Sequence, residues 1–281
     1  MAVTKIAGIM RAGAFSPNHI GNDAAIFNLV AEQLRKRGCE VNVYSEEQFI
    51  GGAVDEHVIL NMCREPRSMA LLQQREDAGD LVINSGYGIE NCLRERMTRI
   101  LMGSGIPCPE SIVVNTDELV ADRLRRLKID RCWIKRGESH SLHHEDVCYA
   151  RHAEEAQELL QEFFLRGIKR AVVTRHLDGE LVKFYGVAGA SFFFTFFPFR
   201  QQARRGDSVM PHEVDVDRLR SLCEAAAAEL DVRIYGGDCI VDEEGKLSII
   251  DFNDFPSFGP CRQDAATAIA RCVMSAIKER N

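Results

Sequence analysis

The acidic turn Asp242-Glu243-Glu244-Gly245 separates two apolar runs, and those runs carry aspartates where strands ordinarily hold β-branched or aromatic side chains. A turn of this composition predicts a hairpin pairing residues 238–241 with 247–253. If Val241 faces Lys246 across the turn, Asp238 faces Ile249. Directly opposed residues share a face of the sheet, and so do alternate residues along one strand. Asp238, Asp251 and Asn253 then project to the same side, where three oxygen ligands converge. Oxygen ligands alone suit magnesium, which keeps several waters and is usually shared with substrate phosphates. A capping or turn role at the strand end is the alternative for Asp251 and Asn253. Because Asp251 follows Ile249 and Ile250 inside an apolar run, where an unpaired carboxylate is costly, the pattern favours ligation.

Upstream of the hairpin, segments with strand and helix periodicity alternate. A strand at 5–10, a helix at 23–37 with Ile26, Leu29, Val30 and Leu34 on one stripe, and a strand at 40–44 make a β-α-β unit. A strand at 58–62, a helix at 66–78 and a strand at 81–84 continue it, so a small parallel sheet flanked by helices is expected to about residue 90. Gly86 and Gly88 read as a break before an amphipathic helix at 89–102 that buries Leu93, Met97, Ile100 and Leu101. Beyond it lie strands at 111–114, 132–135 and 171–175, helices at 116–127 and 153–164, strands between 181 and 199, a helix at 215–230 and a terminal helix at 263–278. The expected architecture is α/β followed by α+β, with one domain over 1–90 and a two-lobed unit over 91–281.

Composition excludes several classes. The longest apolar run, 191–199, is too short to span a membrane and reads as a buried strand, and no secretory signal is visible. Ten cysteines without a CxxC pair fit neither a zinc knuckle nor a disulfide framework, which points to the cytoplasm. A net charge of −7 argues against nucleic acid as a partner.

The segment GGDCIV followed by GKLSIIDFNDFPSFG resembles the metal-binding end of the ATP-grasp superfamily, nearest to its glutamate-adding carboxylate–amine ligases and its inositol phosphate kinases. The run INSGYGIENCLRERMTRILMGSGIPCPESIVV resembles the helix and entry segment of that fold, which makes 1–90 the pre-ATP-grasp domain and 91–281 the ATP-grasp domain, with lobes at about 105–173 and 174–281. The resemblance implies ATP and two Mg2+ ions, with Asp238, Asp251 and Asn253 as metal ligands. It assigns Lys135 to the α and β phosphates and puts Arg96 where a second phosphate-contacting lysine usually stands. Thr174, Arg175, His176 and Leu177 match the hinge that bonds adenine through its backbone, Arg175 replacing the usual acid, and Asp178 or Glu180 is expected to take the ribose hydroxyls. Lys183 occupies the position of a basic residue that reaches the γ-phosphate, and Arg200, Arg204 and Arg205 resemble the loop that binds a substrate carboxylate or the transferring phosphoryl.

The segment 136–145, with one glycine and His140, His143 and His144, stands where the family has a glycine-rich flap; hydrogen bonding to phosphate or solvent suits those histidines better than metal. Cys63 is weak as a nucleophile, and Arg64 and Arg67 suit an acidic substrate group. The expected activity is an ATP-dependent ligase that joins a small-molecule or peptide carboxylate to an amine through an acyl phosphate. A kinase of the same fold acting on a hydroxyl, and a non-catalytic nucleotide-binding module, are the alternatives, because the phosphate apparatus is common to all three.

Overall fold

The computed structural model describes residues 3–16, 20–137, 144–200 and 214–280. The alternating first segment forms β1 (Lys5–Met10), α1 (Ile20–Arg35), β2 (Glu40–Ser45), α2 (Glu46–Ile50), β3 (Val58–Asn61), α3 (Pro66–Asp77) and β4 (Leu81–Ile83), with an all-parallel sheet in the order β2-β1-β3-β4. The short helix α2 begins at a capping box in which Ser45 and Gln48 satisfy each other's backbone N–H groups.

Two helices follow, α4 (Gly86–Asn91) and α5 (Arg94–Gly103), in place of the single helix expected at 89–102. Gly86 and Gly88 are not breakers: Ser85 caps the helix that contains both. They are small because the packing is close, since a Cβ on Gly88 would lie 2.0 Å from the Asp231 carbonyl oxygen.

An antiparallel sheet in the order β5-β8-β6-β7 comes next, from β5 (Ser111–Asn115), α6 (Ala121–Arg126), β6 (Cys132–Arg136), β7 (Val147–Ala150), α7 (Ala153–Leu165) and β8 (Arg170–Arg175). Helix α6 is shorter than the expected 116–127, because Thr116 is buried and its hydroxyl donates to the Ile168 carbonyl at 2.6 Å instead of opening a helix. The second antiparallel sheet, β10-β9-β11-β12, uses β9 (Glu180–Val187), β10 (Phe192–Phe196), β11 (Ile234–Val241) and β12 (Leu247–Asp254), with α8 (Val216–Glu229) inserted before β11. The aromatic run expected as a buried strand is β10, an edge strand whose residues are only half-buried. Its rings lean on Phe184, Tyr185 and Phe258.

Helix α9 (Arg262–Arg280) returns to the first sheet and packs with α1 in one apolar core that also takes in Ile234, Phe255 and Phe258 from the end of the second antiparallel sheet. Helices α5 and α8 cover the other face of that sheet through Met97, Leu101, Leu219 and Cys223. Helix α5 also meets the first antiparallel sheet through the Glu95–Arg170 ion pair, and the cavity described next lies between the two sheets.

Candidate nucleotide and metal site

The hairpin pairs Val241 with Leu247, Ile240 with Ser248 and Cys239 with Ile249; then a bulge at Ile250 intervenes and Asp238 pairs with Asp251. The expected partner of Asp238, Ile249, is instead buried on the opposite face. Because a bulge places two successive residues against one partner position, Ile250 and Asp251 both line the cavity. The inference that Asp238, Asp251 and Asn253 share a face survives by a different register. Beside the bulge Gly237 leaves no room for a side chain, since a Cβ there would lie 2.2 Å from the Asp251 carbonyl oxygen.

Across the other edge of β11, Lys183 of β9 pairs directly with Asp238, and its Nζ donates to Asp238 Oδ1 at 2.8 Å. Three adjacent strands therefore carry the row Lys183, Asp238, Asp251. Opposed like charges repel, so the two carboxylates require cations. Arg94 Nη1 donates to Asp251 Oδ1 at 3.2 Å, while Lys135 Nζ reaches the bulge carbonyl of Ile250 at 3.1 Å. Among the described residues three cations, Arg94, Lys135 and Lys183, gather around these two carboxylates, where they can also meet an anionic ligand.

The titration directions follow from this crowding. Burial, assisted by Arg94, brings the Lys135 ammonium down to about 8, against a pull upward from Asp251 and Asp238. Burial raises the Asp238 carboxyl despite Lys183. Burial also works against a charged Asp251, but Arg94, Lys135, the Asn253 amide and Lys183 together outweigh it and hold the carboxyl below its usual range. For Lys183 the attraction of Asp238 overcomes burial and raises the ammonium.

A metal has to fit this donor set. Among the described residues no three His, Cys, Asp or Glu side chains cluster as a cage. The hairpin presents two carboxylates and one amide, Asn253 Nδ2 donating to Asp251 Oδ2 at 3.1 Å. That set is too sparse and too hard for zinc, but it fits magnesium, which takes one or two carboxylates and completes its shell with water and phosphate oxygens.

The cavity has a volume of about 900 Å³ and runs from this charged end to an apolar one walled by Trp133, Val147, Leu177, Leu181 and Ile240. Trp133 Nε1 donates to His176 Nδ1 at 3.0 Å, and Tyr149 packs against both rings. Thr174 is buried and its hydroxyl oxygen accepts from Ser111 Oγ at 3.1 Å. The Arg175 guanidinium bonds the Leu127 and Lys128 carbonyls and Glu110. The backbone N–H groups of Arg175 and His176 donate to the Glu110 and Arg131 carbonyls at 2.9 and 2.8 Å, whereas the Leu177 N–H has no backbone acceptor among the described residues.

The structure brings Lys135, Thr174, Arg175, His176, Leu177, Glu180, Asp238 and Asp251 to the cavity, with Lys183 and Asn253 bonded to its carboxylates. It does not bring Arg96, which is half-exposed and ion-paired with Glu90 at 2.5 Å. Arg94 is the arginine on the buried stripe with Met97 and Leu101, and the helical spacing of those residues was the signal that identifies it. Asp178 also falls outside the cavity lining; it is exposed and paired with Arg131. Arg64 is committed to Asp254 Oδ1 at 3.2 Å, and Arg67 is exposed at the start of α3. Cys63 is fully buried, and burial raises its thiol. Arg200 lines the cavity, while Arg204 and Arg205, with most of the 136–145 segment, lie outside the described residues.

No protein-family model matches the chain. No curated protein matches it in sequence. Among solved structures it is similar to the D-alanine–D-alanine ligase from Bacillus anthracis, with a TM-score of 0.72 and 15% identity over 99% of each chain. It is also similar to the RimK domain protein ATP-grasp from Sphaerobacter thermophilus, with a TM-score of 0.69 and 17% identity over 96% of this chain and 100% of that one. The ATP-grasp ligase PsnB, complexed with a minimal precursor, gives a TM-score of 0.64 and 16% identity over 98% of this chain and 100% of that one.

Proposed function

From the ATP-grasp fold that this chain adopts, we propose that it is an ATP-dependent carboxylate–amine ligase working through an acyl phosphate. The observation that carries the reading is the row Lys183, Asp238, Asp251, with Arg94 and Lys135 above it, at the charged end of a cavity of about 900 Å³. Support also comes from two similar structures, the Bacillus anthracis ligase complexed with ATP and PsnB complexed with Mg and ADP. In this reading residues 1–90 are the pre-ATP-grasp domain and 91–281 the ATP-grasp domain, the nucleotide lying between its two antiparallel sheets.

Adenine sits against Trp133, Leu181 and Ile240, its edge meeting the Leu177 N–H and the hinge carbonyls. Lys135 and Arg94 hold the phosphates, and Lys183 stands nearest the γ-phosphoryl, so these side chains offset charge that grows during transfer. Two magnesium ions held by Asp238, Asp251 and Asn253 would supply further neutralisation and orient the phosphates. The substrate carboxylate attacks the γ-phosphorus, ADP leaves, and the amine displaces phosphate from the acyl group. Arg204 and Arg205 are the proposed contacts for carboxylate or phosphoryl oxygens. All ten cysteines are free, and among the described residues no helix is long and apolar enough to cross a membrane; a cytoplasmic location suits both.

The test is a panel of acids and amines scored for ADP and phosphate release. Release that needs an acid and an amine together supports the ligase. A stable phosphorylated product formed without any amine points to a hydroxyl kinase instead.

A further inference from the structure

Glu180 opens β9 immediately after the hinge, and its carboxylate is mostly buried at the cavity wall. Both of its oxygens are taken by one side chain: Arg200 Nε donates to Oε1 at 2.6 Å and Nη2 to Oε2 at 2.8 Å. The guanidinium is further fixed over the Phe197 ring, 3.7 Å from its centroid. Asp178, the other acid near the hinge, faces Arg131 outside the cavity lining, so Glu180 is the carboxylate available to a sugar there. A vicinal diol offers a carboxylate two donors side by side, as the edge of a guanidinium does, so Arg200 and a ribose compete for the same pair of oxygens.

Resting on the nucleotide reading above, we propose that Arg200 competes with ribose for Glu180: it holds the carboxylate when no nucleotide is bound and is displaced when the ribose hydroxyls bind. Unlike a cation that contacts phosphate, Arg200 then opposes nucleotide binding. Removing Arg200 strengthens nucleotide binding, because the ribose no longer has to break an ion pair. The same removal leaves a nucleotide without ribose hydroxyls unaffected. Because Arg200 lines the same cavity, its displaced guanidinium can meet a second anion there only once nucleotide is present.

The experiment measures binding of ADP and of 2′,3′-dideoxy-ADP by calorimetry, checked by fluorescence of Trp133, the one tryptophan of the chain and part of the cavity wall. The proteins are wild type, Arg200→Leu and Glu180→Leu, with circular dichroism to verify folding. Partly exposed ion pairs contribute up to about fivefold in an equilibrium, so Arg200→Leu should bind ADP up to about fivefold more tightly, with dideoxy-ADP unchanged. In that variant ADP should exceed dideoxy-ADP by about tenfold or more, the effect of hydroxyls bonded to a charged carboxylate, and Glu180→Leu should abolish the difference. Weaker ADP binding in Arg200→Leu would overturn the proposal and make Arg200 a direct phosphate contact. Equal effects on the two nucleotides, or none, would overturn it as well. Such results leave the nucleotide site standing, whereas no binding of either ligand by any of the three proteins removes the site and the proposal together.

Discussion

Replacing Gly237 by alanine joins the fold to the site in one change. A Cβ there would lie 2.2 Å from the Asp251 carbonyl oxygen and 2.6 Å from Cζ of Phe184, so neither rotamer choice nor a mobile chain end can relieve it. A carbon normally approaches a carbonyl oxygen no closer than about 3.3 Å, so the Asp251 backbone has to retreat by roughly 1 Å. Alanine gains about 0.5–1 kcal/mol over glycine within a strand, while overpacking a well-filled region costs about 1–3 kcal/mol, so a net loss of about 1–2 kcal/mol is expected. For a chain of this size that lowers the melting temperature by about 2–4 °C. The chemical effect should be larger than the loss of stability. A misplacement of about 1 Å at a reacting centre costs on the order of 100-fold in rate, and the strand that moves carries the Asp251 carboxylate. Gly103→Ala is the control: it ends α5 with nothing within 4 Å of the added carbon, and should be neutral or stabilising by up to about 1 kcal/mol. Thermal melts and ADP release on matched samples decide the matter. If Gly237→Ala melts and turns over like the wild type, the bulge does not position the carboxylate as described.

Asp251→Asn should abolish turnover while the protein stays folded, whereas Asp251→Ala should also cost stability because it removes the carboxylate that the buried Arg94 bonds; urea titration alongside ADP release separates the two. Arg94→Leu should weaken ATP at least about tenfold, and Arg96→Leu should leave affinity and stability within about 0.5 kcal/mol of wild type, both read by calorimetry. Lys135→Met should weaken ATP and ADP markedly and adenosine little. With Lys135 at about 8 when free, nucleotide binding above that pH should take up a proton in the wild type, seen as a buffer-dependent binding enthalpy, and not in the variant. The folded state also binds fewer protons than the unfolded chain between about 8 and 10.5, so the Lys135 contribution makes stability rise with pH across that window.

What the sequence conveys depends on whether a local pattern or a tertiary contact decides each feature. The parallel sheet and the terminal hairpin are written in local periodicity and turn chemistry, and both form as expected. The hairpin register is not, because Ile249 and Ile250 look alike in sequence and the bulge goes with a tertiary fit, the close approach of Gly237 to the Asp251 backbone. Gly86 and Gly88 carry a breaker's signature, yet packing against Gln73 and Asp231 is the reason for their size. Strand β7 escapes notice behind a His-rich segment, since four residues of strand offer too short a pattern. Within the site, Lys183, Asp238 and Asp251 are legible as charges inside apolar strands. Choosing Arg96 over Arg94 follows from matching a motif position when helical spacing from Met97 gives the buried face.

The central claim is that a carboxylate is phosphorylated in this cavity and then transferred to an amine. An acid labelled with heavy oxygen, supplied with ATP, magnesium and a productive amine, tests it directly by mass spectrometry of the released phosphate. Attack by a carboxylate oxygen on the γ-phosphorus, followed by cleavage of the acyl bond, carries one labelled oxygen into inorganic phosphate, with release dependent on both substrates. Unlabelled phosphate would contradict the account, as would label retained entirely in the amide product.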